Sequence, residues 1–445
     1  MNRSLLITPL LVLFILHSPS SIAQWSSANL SMARTQMGAA AANGVAIFAG
    51  GIGMISQPPG VYDQYNAFTG AWTSGNFAPG RNKLAGVACG GQLLFAGGAN
   101  DWIFADYDNV NIYNTALGSW STSNGLSVAR ANLSGASAGS KAVFAGGESA
   151  GSGLYFNTAD IYDTLTLSWS TAQLSVSRSS IAAAATGSKI LFAGGGDGSN
   201  VYNAVDLYDV TTNTWSTDVL SIARTAACGV SNGNKIYIAG GLTANNQVTN
   251  RIDIYDITTG TWTIDSLSQA RQNIATASVG DYVFFAGGNN AAGTTAYNTV
   301  DIFNTSNGSW STATLTNARY QASAVSLGNK FIVAGGTSGS GFPTPSAEIY
   351  TVTNTGIVES GGHQMLSLFP NPSSGNISIE MSSEKEPIVR IELIDGIGRC
   401  VYLDNTTRQT GQRIQISLDS ILPGMYQLKT TSSNGNVSVG RLIRQ

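Results

Sequence analysis

Two histidines and three cysteines stand among 445 residues, and only 11% of the residues are charged. His17 falls in an N-terminal apolar segment, and His363 lies beyond the last of the repeats described below. No pair of imidazoles is left within the repeats to hold copper, and no compact zinc-ligand cluster occurs. The sequence therefore calls for no metal and no cofactor. Cys89, Cys228 and Cys400 form an odd set, a poor basis for a disulfide framework. The first two sit in runs of small residues and read as buried free thiols. A net charge of -3 offers no basic surface for phosphates, which argues against DNA or RNA as a partner.

Long apolar runs are also scarce. One occurs, LLITPLLVLFIL from Leu5 to Leu16, preceded by Arg3 and followed by the small residues of SPSSIAQ. This order of charge, apolar core and small residues predicts a secretory signal peptide over 1–23, cut after Ala23. No second run is long enough to span a bilayer, so the mature chain is expected to have no transmembrane span.

What the sequence has in quantity is glycine, 52 residues, and its placement is periodic. Gly-Gly pairs begin at 50, 97, 146, 194, 240, 287 and 335, spaced 46 to 49 residues apart, each at the end of an apolar run such as ILFAGG or IYIAGG. Aromatics follow at Tyr65, Tyr113, Tyr162, Tyr208, Tyr255, Phe303 and Tyr350, and the first six precede a tryptophan by seven residues. An arginine comes next in each copy, from Arg81 to Arg319, and Arg34 opens the first. A period near 48 built from short strands indicates a propeller, with four strands per repeat. The first strand is rich in Ala and Ser, as in SSIAAAAT, because bulky chains would overpack the axis.

The last copy has Ile357 where tryptophan is expected, and Trp25 stands nine residues before Arg34. An N-terminal strand around Trp25 is therefore expected to pair with the strand around Tyr350, closing seven blades and removing a sheet edge. The rival closure uses TGIVES, 355–360, as the outer strand. An acidic residue recurs two positions before each aromatic (Asp63, Asp160, Asp206, Asp253, Asp301, Glu348), with Asn111 as the exception. Such regularity suits structural bonding, with the arginines expected to bond between blades.

Gly-Gly, spaced Tyr and Trp, and the following Arg resemble kelch repeats over residues 24–356. The resemblance implies an all-β scaffold, a seven-bladed kelch-type propeller, with ligand contacts in its loops. It also brings to mind copper radical oxidases similar to galactose oxidase, but the histidines that chemistry needs are missing. The variable connections between second and third strands include ANDWIFADYDN, ESAGSGLYFN and TSGSGFPTPS. Trp102, Phe104, Tyr107, Tyr155, Phe156 and Phe342 in these segments are the candidate ligand contacts, suited to stacking on a sugar or packing on a protein. Asp106 and Asp108 add hydrogen-bonding capacity or weak calcium binding, although a full calcium-loop ligand series is lacking.

After a connector over 357–367, alternating apolar residues such as Val389, Ile391 and Leu393 predict short strands in a small Ig-like β-sandwich, 368–445. FPNPSSG, IELIDGIGR, LPGMYQLK and the terminal RLIRQ, in that order, resemble the C-terminal sorting domain of type IX secretion. That resemblance implies the type IX machinery as a partner and an extracellular or outer-membrane-surface location. The leading reading is a noncatalytic propeller binding a glycan or cell-surface protein through one loop face. The alternatives are an extracellular carbohydrate-active enzyme using loop acids, and a structural surface or adhesion component.

Overall fold

A computed structural model describes residues 25–54, 58–123 and 125–352, and, further on, 367–369, 371, 373–380, 387–395, 400–408, 414–433 and 437–444. The expected signal peptide and the TGIVES segment lie outside the described residues. The chain divides into two compact units, Met1–Val352 and Thr353–Gln445.

Among the described residues the first unit is all-β, built from seven four-stranded antiparallel sheets. The first contains Gly38–Ala42, Val45–Ala49, Val61–Asn66 and Trp72–Asn76 in spatial order. Its innermost strand is GAAAA, and the next, VAIFA, is wholly buried. Small residues let neighbouring inner strands approach closely, while the apolar second strand packs on both faces. The inner strands of successive sheets are neighbours, and Gly38–Ala42 also neighbours Ser323–Leu327 of the seventh sheet. In that seventh sheet Trp25–Asn29 pairs with Ser346–Thr351, Trp25 opposite Tyr350. Their rings meet edge-on with centroids 5.0 Å apart.

Gly195 shows why the second glycine of each pair is required. Its φ is +100°, and a Cβ would stand 2.6 Å from the Ser179 carbonyl oxygen. Its N–H donates to the Arg224 carbonyl of the next repeat at 2.9 Å. Only glycine takes this conformation and this approach together. The tryptophans also join repeats: Trp262 Nε1 donates to Asp218 at 2.7 Å, and Trp310 Nε1 to Asp265 at 3.0 Å.

The seven arginines are fully buried, yet their guanidinium groups bond within their own sheets, which corrects the expectation of inter-blade bonding. Arg178 donates to the carbonyls of Gly194 at 2.8 Å and Val176 at 3.0 Å, and pairs with Asp206 at 2.7 Å. Asp206 in turn accepts the Ser175 N–H at 2.9 Å, fixing the turn that leads into the sheet. The reason is geometric: the arginine precedes the first strand and the acid lies on the third, so the side chain spans its own sheet's end. It is the arginine carbonyl that reaches the neighbouring repeat.

One sheet departs from this scheme. Arg81 faces Asn111, whose Oδ1 accepts its Nη2 at 2.7 Å, and its guanidinium lies 4.5 Å from the Phe77 ring centre. Burial without a carboxylate pushes Arg81 down to about 9. The other repeats place leucine where Phe77 stands, so the repeat with the neutral partner is also the one with an aromatic ring over the cation.

The second unit contains a four-stranded and a three-stranded sheet among its described residues. Ile391, Leu393, Leu428 and Leu442 of the larger sheet share a buried cluster with Ile377, Ile379, Ile414 and Ile416 of the smaller. Cys89 and Cys228 are buried free thiols, whereas Cys400 is exposed. Burial pushes the Cys228 thiol up to about 12.

Candidate functional site

The connections between second and third strands meet those that enter each repeat. Bridges join Asn82 to Ala99, Ala131 to Glu148, Ser179 to Gly196 and Gln272 to Asn289. The two sets of segments therefore form one face of the first unit.

Two residues after each arginine the backbone turns left-handed, at Gln36, Lys83, Asn132, Ser180, Ala226, Asn273 and Gln321, with φ between +49° and +57°. Positive φ is costly outside glycine, so a constraint shared by all seven must hold it. That constraint is a relay of backbone hydrogen bonds. Lys83 N donates to Gln36 O at 3.0 Å, Asn132 N to Lys83 O at 3.0 Å, and Ser180 N to Asn132 O at 3.3 Å. The relay continues through Ala226, Asn273 and Gln321, and returns when Gln36 N donates to Gln321 O at 3.4 Å.

These seven residues, with Met37, Leu84, Leu133, Ile181 and Ile274 just behind them, line a recess of about 270 Å³. A second recess of about 340 Å³ is lined by Ala, Gly, Val and Ser of the inner strands. The relay residues contribute amide, hydroxyl and one ammonium group. Lys83 Nζ pairs with Asp101 at 3.0 Å, and Asn82 Nδ2 donates to Asp101 and to Gln36, each at 2.9 Å. Glu148 accepts from Asn132 at 2.5 Å and from Ser179 at 2.8 Å. Such groups suit hydrogen bonding to hydroxyls or peptide groups.

The sequence-predicted contacts separate into two kinds. Trp102, Phe104 and Phe342 are exposed, by 62%, 73% and 57% respectively. Tyr107, Tyr155 and Phe156 are half-buried. The Tyr107 and Phe156 backbones occupy a repeated frame position: each donates its N–H to the second glycine of its pair, as do Tyr202, Thr249, Tyr297 and Thr344. Tyr155 lies against the next loop, where a Cβ on Gly198 would stand 2.7 Å from its hydroxyl. Burial first, and then the nearby Glu148 and Asp197 carboxylates, raise the Tyr155 phenol above its usual value. Asp106 accepts Ser149 Oγ at 2.7 Å and Ala150 N at 3.0 Å, so its carboxylate joins two loops. Among the described residues no three His, Cys, Asp or Glu side chains are grouped as metal ligands.

The relay residues escaped the sequence reading. Their signal was present: two positions after an otherwise fixed arginine, the side chain varies as Gln, Lys, Asn, Ser, Ala, Asn and Gln. Variation at a fixed position marks a side chain that the frame does not use.

Comparison with known families bears on both units. The kelch motif matches residues 177–217 and 223–264, which cover most of the fourth sheet, 182–219, and of the fifth, 228–266, with the turns leading into them. The secretion system C-terminal sorting domain matches residues 367–445. No curated protein matches the chain. Among the described residues no helix is long and apolar enough to cross a membrane. The sorting domain indicates export, with a secreted or cell-surface destination, and implies contact with the secretion machinery. The chain therefore carries kelch motifs in its first unit, whose four-stranded antiparallel sheets are those of a propeller scaffold, and a secretion system C-terminal sorting domain in its second.

Proposed function

We propose that residues 24–356 form a closed, seven-bladed propeller that binds a glycan or a cell-surface protein through its loop face. In this reading Trp25–Asn29 completes the last blade, residues 357–367 connect, and 368–445 form an Ig-like sandwich that directs type IX export after a signal peptide over 1–23. The observation that carries the binding role is the contrast between frame and face. All seven arginines and their acid or amide partners are buried in repeated bonding, whereas Trp102, Phe104 and Phe342 project from connections that differ in every repeat. Rings left mostly exposed add little to the fold and offer stacking area to a ligand. The same contrast disfavours the enzyme alternative, since the periodic carboxylates are engaged by arginine and turn N–H groups.

The test is a glycan and surface-protein binding screen of the full chain, repeated with Trp102→Ala and Tyr155→Ala. Binding to wild type that both substitutions weaken, with unchanged unfolding midpoints, is the expected result. Turnover of a glycan without retained binding would replace the binding reading with the enzymatic one.

A further inference from the structure

The loop face is not uniform. Trp102, Ile103 and Phe104 are consecutive and exposed, and Leu154 of the adjoining loop is exposed as well. The two loops are held together by the Asp106 bonds to Ser149 and Ala150, and Gly151 packs beside Phe104, where a Cβ would be 3.4 Å from the Phe104 carbonyl. The four apolar side chains thus belong to neighbouring, mutually bonded segments.

Charge is equally one-sided. Asp101, Asp106, Asp108, Glu148 and Asp197 all lie on the second-to-third-strand connections of the second, third and fourth sheets. The corresponding connections of the other four sheets contain no acid, and none of the seven contains lysine or arginine. The repeat arginines are fully buried, Lys83 is held by Asp101, and Arg251 begins the third strand of the fifth sheet. At the far ends of the strands Lys141 and Lys189 pair with Asp163 and Asp209, so charge there is balanced. The Asp197 carboxyl is held well below the usual range, first by the Tyr202 hydroxyl and then by Asn200, so it remains ionised.

We propose that this apolar, acid-rimmed surface docks a cationic amphipathic protein segment, one that interleaves arginine or lysine with apolar side chains. The proposal rests on the reading of the loop face as a binding surface and names its partner. Apolar side chains of the segment cover Ile103 and Leu154, its cations meet the carboxylates, and cations over Trp102 and Phe104 gain ring attraction. A second copy presenting the same face would set like charges together, and an anionic glycan or lipid headgroup would be repelled.

The test uses the full chain and fluorescent peptides that alternate leucine with either arginine or glutamate, alongside a neutral oligosaccharide. The arginine peptide is expected to bind at least about tenfold more tightly than the glutamate peptide. Its affinity should fall as salt rises from about 50 to 200 mM. Trp102→Ala combined with Phe104→Ala should weaken it about tenfold, and Asp101→Asn with Asp108→Asn should reduce both affinity and salt dependence. The unfolding midpoint of each variant serves as the folding control. Equal affinity for the glutamate peptide, or unchanged arginine-peptide binding by the ring-deleted protein, overturns the proposal. Self-association in sedimentation that is lost with Trp102 and Phe104 also overturns it, assigning the surface to a second copy. If the oligosaccharide alone binds and depends on the two rings, the cationic partner is refuted while the loop-face reading stands. If no probe binds the wild-type chain, the cationic partner is refuted, and the glycan and surface-protein screen decides the loop-face reading.

Discussion

Replacing Asp206 with asparagine separates the energetic role of the buried ion pairs from that of their surface counterparts. Asp206 and Arg178 are 2.7 Å apart, with side-chain exposures of 3% and 0%. At an effective dielectric near 20, opposite charges at that distance attract by about 6 kcal/mol, and burial opposes this by several kcal/mol per ion. Asparagine keeps the shape and one acceptor oxygen but leaves the Arg178 charge buried without its counter-charge. The expected loss is about 3–5 kcal/mol. With a urea slope near 3 kcal/mol per M, the midpoint should fall by roughly 1–1.7 M. Asp209→Asn is the control, because Lys189 and Asp209 are 2.8 Å apart but more exposed. That pair should contribute under about 1 kcal/mol. Urea unfolding followed by tryptophan fluorescence measures both. A loss at Asp206 no larger than the loss at Asp209 would refute the claim that burial, rather than distance, sets the strength of these pairs.

Three further outcomes are expected. Phe77→Leu should cost about 2 kcal/mol by removing the ring from Arg81, and adding Asn111→Asp should recover at least half, since leucine with an acid is the arrangement of the other repeats; no recovery in urea unfolding would contradict the compensation. Gly195→Ala should destabilise by about 3 kcal/mol or more, whereas Gly233→Ala, whose added Cβ meets nothing within 4 Å, should cost only about 1 kcal/mol; similar midpoints for the two would remove the steric argument. In the second unit, bonds from Thr406 and then Arg408 lower the Asp404 carboxyl from 3.8 to about 2. Because its folded value is depressed, its stabilisation is complete above the unfolded value and is lost as pH falls through about 2. The stability difference between wild type and Asp404→Asn should accordingly be constant above about pH 4 and shrink below it, and a difference that grows on acidification would reverse the assignment.

Local, repeated requirements were legible in the amino-acid order. Gly-Gly announces a backbone conformation closed to other residues, alternation announces strands, and recurrence announces that the acids and arginines belong to the frame. The tail was legible for the same reason, since its ordered motifs are contiguous. The destination of each arginine was not: whether a guanidinium reaches across its own sheet or into the next depends on where the third strand returns. Nor did spacing show that the Tyr107 and Phe156 backbones are part of the frame while Trp102 and Phe104 project outward. The relay through Gln36 and Gln321 was least accessible of all, because its last bond joins residues 285 positions apart. Sequence periodicity determined what every repeat must contain; only the meeting of distant segments decided which side chains were left facing outward, because exposure depends on every neighbour and not on the chain's own order.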